Sequence, residues 1–411
     1  MKEKFRTSCS EEQEIYPDIA PTVSQIEHTH IQGNHYKTIE YFKTLWKYHF
    51  KNTDDIKNLL FYTPQQAISL DIEYFKYILD NNKVVVDNSS EAETTTFHRL
   101  FYVLKHKGAN LNNLYLLSGG FEIVQDNSVK FCKEYFGVNI IHWPFWLVNE
   151  INPIKNGGRP HNIRLQNPVF TNVRHKKFVC LNNFFKKFRL ELLLDLFKNT
   201  LLNQGYVSAR WSFDPESIFY ENIAGDTNIG DFFKKVKIGY QIEQEFKDIF
   251  PLLLDTNKIQ DFKDRKMNSE WILNSMINLV SESFCDDNFI NNCDILKQFG
   301  YNKHTQEIGF ITEKTVKPIG YGQPFLIVGS PDTTQYLKHL GFATYENLFP
   351  RYDNSLNISE RIHTVVQYLK EFDHNQYDSE TLDQIHQNRN LLLGNQFAKT
   401  QLQDVLYKIN S

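Results

Sequence analysis

One rhythm limits what this chain can fold into: short apolar runs separated by stretches of helical character. NLLFYT (58–63), KVVVDN (83–88), NLYLLSG (113–119) and VNIIHWP (138–144) are rich in Val, Ile, Leu and Tyr. Each has the length of a strand buried on both faces of a parallel sheet. Between them, Gln65 to Leu79 and Thr94 to Lys107 read as helices. Strands that alternate with helices indicate βαβ units, so the pattern predicts a Rossmann-like, doubly wound α/β domain over 51–150.

A second cycle follows. KKFVCLNN (176–183), a helix-like LELLLDLFKNTLL (190–202) and GYVSARWS (205–212) come first. WILNSMINLVSES (271–283), a helix-like ITEKTVKPI (311–319), PFLIVGS (324–330) and a helix-like TTQYLKHL (333–340) complete it. This predicts a second Rossmann-like domain over 176–355, interrupted by an insertion at 213–265. Residues 1–50 form an extension with a helix expected between His35 and Phe50; 151–175 read as a linker and 356–411 as terminal helices. Two open α/β domains facing a cleft make up the GT-B arrangement, in which ligands lie beyond the carboxyl ends of the strands.

Charge excludes some classes. Lys plus Arg number 45 against 49 Asp plus Glu, a net charge of −4, so the chain has no histone-like polycationic character. The five cysteines, at 9, 132, 180, 285 and 293, are sparse and have no metal spacing, which fits a reducing cytosol. The first residues, MKEKFRTSCSEEQEIYP, carry charge where a signal peptide needs an apolar core, and no transmembrane run is present. The expectation is a cytoplasmic protein, in the host cytoplasm if the source is viral; abundant Asn, Lys, Ile, Phe and Tyr suit an AT-rich genome. No P-loop, no G-x-G-x-x-G after a strand and no G-x-S-x-G elbow occurs.

One stretch departs from the even charge. Residues 151–190 contain Lys155, Arg159, Arg164, Arg174, Lys176, Lys177, Lys186, Lys187 and Arg189, with no Asp or Glu. An anion would be held here, a nucleotide diphosphate or a nucleic-acid backbone. Lys186 to Arg189 stand between a strand end and a helix start, where free backbone amides add to an anion site.

GFITEKTVKPIGYGQPFLIVGSP (309–331) is the most specific stretch. A helix starting near Thr312 places Glu313 and Lys314 in its first turn. The carboxylate can accept two ribose hydroxyls, and the ammonium can neutralise a diphosphate. The segment resembles the donor-binding half of the α-1,3-fucosyltransferases, glycosyltransferase family 10, with its aromatic-x-T-E-K stretch, apolar strand and G-S-P. Asn183 followed six residues later by Arg189 is similar to a second motif of that family. T-E-K-T-x-K-P-I also resembles glycosyltransferase-like proteins of large viruses and phages, to which Lys317 would belong. The resemblance covers roughly 176–340. It implies that Glu313 binds the ribose, that Lys314 and Arg189 bind the phosphates, and that Glu282, in an E-S pair, lines the same pocket. Asn183, Lys187, Phe310, Thr312 and Lys317 complete the implied donor site. Phe310 replaces the family's Tyr, and about twenty-five residues separate Glu282 from Phe310 where the family has a short loop.

Inverting transfer needs a general base on the acceptor side. Glu91, Glu122 and Asp87 follow strands in the first domain, and His142 is a lesser candidate. The expectation is a metal-independent glycosyltransferase with no cofactor beyond its nucleotide-sugar co-substrate. Its acceptor is a glycan, for which HWPFW (142–146) offers stacking rings, or a hydroxymethylated base in DNA. A nucleotide-binding protein without catalysis is the other class. His28, His30 and His35 lack an acidic second shell, and Cys285 to Asp287 lack metal spacing.

Overall fold

In a computed structural model the described residues are 41–90, 95–122, 129–130, 132–149, 174–182, 185–217, 232–234, 238–254, 269–282, 308–355, 357–373 and 376–411. The chain divides into two compact units. The first comprises Met1–Ile154, Asp287–Phe310 and Asn395–Ser411; the second comprises Lys155–Asp286 and Ile311–Gly394.

In the first unit the four expected strands form one parallel sheet. They are β1 (Leu59–Tyr62), β2 (Lys83–Asn88), β3 (Leu114–Ser118) and, after a short β4 (Gly120–Glu122), β5 (Asn139–His142). Their order is β1-β2-β3-β5. Because every crossover steps the same way, right-handed connections carry their helices to one face. Helices α2 (Pro64–Ser69), α3 (Ile72–Asn81) and α4 (Thr95–His106), with a π-helical turn at Cys132–Phe136, do pack there, against Val84, Val86, Leu114, Leu116 and Ile140. The order reversal that defines a doubly wound sheet does not occur among these strands.

The single helix expected over Gln65 to Leu79 is two. Thr63 accepts from the Gln66 amide in a capping box with Pro64 at the first position, and Asp71 caps the second helix by accepting from Glu73 N and Tyr74 N. Each such cap stabilises a helix start by about 1 kcal/mol.

The opposite sheet face is covered from far along the chain. Helix α1 (Tyr41–Phe50) buries Phe42, Leu45 and Trp46, and Phe42 stacks on Phe61 at 5.9 Å. It packs against α13 (Asn395–Asn410), which also meets α5 (Phe145–Asn149). Lys83 Nζ reaches the Ile409 carbonyl at 2.8 Å. Part of the expected extension and of the terminal helices therefore belongs to this core, because a parallel sheet needs apolar cover on both faces. Strand β9 (Ile308–Phe310), assigned from sequence to the second domain, pairs antiparallel with β4 in the first unit.

The second unit contains β6 (Lys176–Asn182), α6 (Lys187–Lys198), β7 (Gly205–Ala209), α7 (Tyr240–Asp248), α8 (Ser269–Leu273) and β8 (Ser275–Ser281). After these come α9 (Glu313–Tyr321), β10 (Phe325–Val328), α10 (Thr333–His339), α11 (Ile358–Glu371) and α12 (Ser379–Leu393). Its parallel sheet runs β10-β8-β6-β7. From β6 the chain steps outward to β7, then returns to β8 on the other side and continues to β10. The winding direction reverses between β6 and β8, so right-handed crossovers place α6 and α9 on opposite faces. In the α9 layer, Val179, Ile272 and Tyr321 form a core with Leu393 of α12. WILNSMINLVSES is a helical turn followed by β8. The described part of the 213–265 insertion carries Phe233, Phe246 and Phe250 in an aromatic cluster with Trp211.

Candidate functional site

The reversal between β6 and β8 gathers polar side chains at the carboxyl ends of those strands. Asn182 closes β6 and Ser281 closes β8, and the Ser281 hydroxyl donates to Asn182 Oδ1 at 2.5 Å. Both are buried, as are Arg189 and Glu282 beside them. Arg189, in the first turn of α6, donates through one terminal nitrogen to the carbonyls of Ser281 (3.2 Å) and Glu282 (2.9 Å).

Glu282 is the centre of the network. Its amide donates to the Val328 carbonyl at 2.9 Å, tying the end of β8 to β10. Its Oε1 accepts from Thr312 N (3.1 Å) and Thr315 Oγ1 (2.5 Å), and its Oε2 accepts from Thr312 Oγ1 (2.6 Å). Thr312 is the N-cap of α9, its hydroxyl accepting from Lys314 N at 3.3 Å. The helix expected to start near Thr312 does so, and a carboxylate from the end of β8 stands behind its cap.

Glu313 and Lys314 follow in the first turn of α9, their charged atoms 3.4 Å apart and both side chains only partly exposed. Burial pushes the Glu313 carboxyl up, but the charges of Lys314 and then Lys317 outweigh it and hold the group below its usual range. At neutral pH Glu313 is an ionised acceptor flanked by two ammonium groups. That combination suits a neutral diol beside an anion.

Helix α6 adds a second anion-compatible end. Its N-cap residue Lys186 makes no side-chain cap, its first turn contains no acid, and Lys186 and Lys187 are exposed at its start. Basic residues at a helix N-terminus oppose the dipole, and an anion placed there relieves both. Asn183 lies outside the described residues. Of the remaining basic stretch, Arg174 is buried and donates to the carbonyls of Ile272 and Ser275, and Lys176 reaches the Asn203 carbonyl. These two are engaged with the protein itself. Lys155, Arg159 and Arg164 are outside the described residues.

Phe310 is buried in the β4–β9 ribbon of the first unit. There an added Cβ on Gly309 would fall 1.9 Å from the Phe121 ring, and one on Gly119 would fall 2.0 Å from the Ser89 carbonyl and 3.1 Å from Phe310. Only glycine admits these approaches.

The base candidates divide. Glu91 and the side chain of Glu122 lie outside the described residues. Asp87 is buried at the end of β2, where Oδ2 accepts from Phe42 N at 2.6 Å and Oδ1 accepts from Ser89 N and the Ser89 hydroxyl. Its carboxylate caps α1. Of the HWPFW rings, Trp143 and Phe145 are core residues, with Trp143 Nε1 donating to Ser89 Oγ at 2.8 Å, while His142 and Trp146 are half-buried. Burial, then the charge of Lys408, push His142 down to about 4, so it is neutral at pH 7.

Among the described residues no cluster of His, Cys, Asp and Glu has the makings of a metal site, and no helix is long and apolar enough to cross a membrane. The histidines at 28, 30 and 35 and the 285–287 segment are outside the described residues. A pocket lined by Leu348, Phe372, Gln376, Tyr377, Asp378 and Thr381 lies elsewhere in the second unit, where Asp378 is occupied as the cap of α12. Comparison of the chain with protein-family models, with curated proteins and with solved structures yields no match. Sequence reasoning missed Asn182, Ser281 and Thr315. The only signal for Thr315 is its i+3 spacing from Thr312.

Proposed function

We propose that this chain is a glycosyltransferase that transfers a sugar from a nucleotide-sugar donor to an acceptor hydroxyl, with inversion, and that the second unit binds the donor. The observation that carries this reading is the reversal of strand order between β6 and β8, with Glu313, Lys314 and the basic, acid-free start of α6 near those strand ends. In open α/β sheets such a reversal opens a crevice for a ligand. Glu313 accepts the ribose hydroxyls, while Lys314, Lys317 and the α6 amides hold the diphosphate and stabilise it as it leaves. The α/β fold alone supports many functions, so the reading rests on this constellation.

The test is thermal stabilisation by GDP, UDP, ADP and CDP. A ligand at one hundred times its Kd stabilises the folded state by about 2.7 kcal/mol. One nucleotide is expected to raise the Tm of the wild type, with the shift lost in Glu313→Ala and reduced in Lys314→Ala. If none of the four acts on the wild type, the donor reading is wrong. Glu91→Gln and Glu122→Gln then separate transfer from binding: loss of turnover with nucleotide affinity intact identifies the base.

A further inference from the structure

We infer that Glu282 is a positioning residue for the nucleotide site proposed above, fixing the first turn of α9 so that Glu313 and Lys314 face the ligand. The inference rests on that reading. Glu282 is fully buried and so acts through others. Among the described residues its carboxylate accepts from Thr312 N, Thr312 Oγ1 and Thr315 Oγ1.

The direction of these bonds matters. A carboxylate offers only acceptors, so the single proton of the Thr312 hydroxyl is drawn to Glu282. Its lone pairs then remain for the Lys314 amide, and for Lys314 Nζ at 3.4 Å. An amide at 282 could donate to the same hydroxyl and reverse the arrangement.

Glu282 is itself held from its backbone. Arg189 grips the carbonyls of Ser281 and Glu282, and the Glu282 amide binds Val328. Gly329 packs against Glu282: a Cβ there would sit in ordinary contact, 3.4 Å from Glu282 Cβ and Cγ, and more tightly, at 3.2 Å, against Ile327 Cγ2. Helix caps are ordinarily single exposed side chains. A buried carboxylate brought from another strand costs desolvation that an apolar residue would avoid, and what it adds is directional placement.

The variants are Glu282→Gln, Thr315→Val and Thr315→Ser. Each is followed by amide hydrogen exchange in the ligand-free protein and by the Kd of the nucleoside diphosphate that best stabilises the wild type, measured well below the Tm. For Glu282→Gln we expect about tenfold weaker binding, with exchange raised at residues 314–316 and unchanged in the other helices. Thr315→Val falls between, Thr315→Ser restores the wild-type values, and Thr315→Val carries the test if the Gln variant does not fold. Wild-type affinity in a variant with faster exchange at 314–316 overturns the inference and leaves the donor reading standing. So does weaker binding that only tracks exchange raised throughout the protein. If the wild type binds none of the four nucleotides, the donor reading itself fails and Glu282 is reduced to a helix cap.

Discussion

Asp87 offers the sharpest separation of a structural from a chemical role. Replacing it with Ala removes the acceptor of the Phe42, Tyr41 and Ser89 amides, with Phe42 and Ser89 both buried. A buried donor left without a partner costs about 1–3 kcal/mol. Three such groups, part of the cost being relieved by water as α1 loosens, give about 3–5 kcal/mol. For a domain of this size that lowers the Tm on the order of 10 °C. Chemical denaturation with Trp fluorescence is a suitable assay, because Trp46 and Trp143 report on this core. Asp87→Asn keeps one acceptor oxygen and is expected to lose less. Its pH dependence has a definite sign: burial raises the Asp87 pKa in the folded state, so the protonated form is favoured there. The pH-dependent part of the wild-type advantage over Asp87→Asn is thus fully present below the unfolded carboxyl pKa of about 3.9 and is lost as pH rises through the folded value. An Asp87→Ala protein within 1 kcal/mol of wild type refutes the capping argument. Loss of sugar transfer in Asp87→Asn with unchanged stability would reinstate Asp87 as a base.

Glu313→Gln should show the opposite pH course. The folded pKa is depressed by Lys314 and Lys317, so the contribution of the carboxylate is present above about pH 4.3 and is lost as pH falls through the folded value; urea midpoints of the two proteins across pH 3–7 check this, and a gap that widens toward acid contradicts it. Gly309→Ala sets a Cβ into the Phe121 ring and should destabilise by about 1–3 kcal/mol, with faster amide exchange in 120–122 and 308–310; an unchanged denaturation midpoint would show that Phe121 moves aside freely.

The strands were legible because β-branched and leucine runs of strand length sit between helical segments, and both sheets follow from that pattern. What the pattern could not carry was cover from distant sequence. Phe42 and Trp46 have the marks of any amphipathic helix, and nothing local says that α1 and α13 share one face of the first sheet. Ile308–Phe310 is too short for periodicity to speak, so its pairing with Gly120–Glu122, and its place in the first unit, were invisible. Caps were written locally and could have been read more fully: T-P-x-Q at 63–66 and Asp71 mark two helix starts where a continuous run was expected. At the site, the helix start near Thr312 was legible for the same reason. Glu282 was not legible as its support, because that bond joins residues thirty positions apart.

The two glutamates of the second unit show how placement divides one chemistry into two roles. Glu282 is enclosed, and its oxygens accept from Thr312 and Thr315, so the fold itself engages its acceptor capacity. Glu313 is one residue past the cap those bonds hold, only partly buried, with two lysines keeping it ionised. A ligand can compete for Glu313 at the cost of a loose 3.4 Å ion pair, whereas competing for Glu282 would mean breaking the start of a helix. Glu282 at the end of β8 and T-E-K-T at the start of α9 therefore describe one physical unit. The strand end supplies a buried carboxylate, and the helix start is held by it. The exchangeable carboxylate lies one residue beyond.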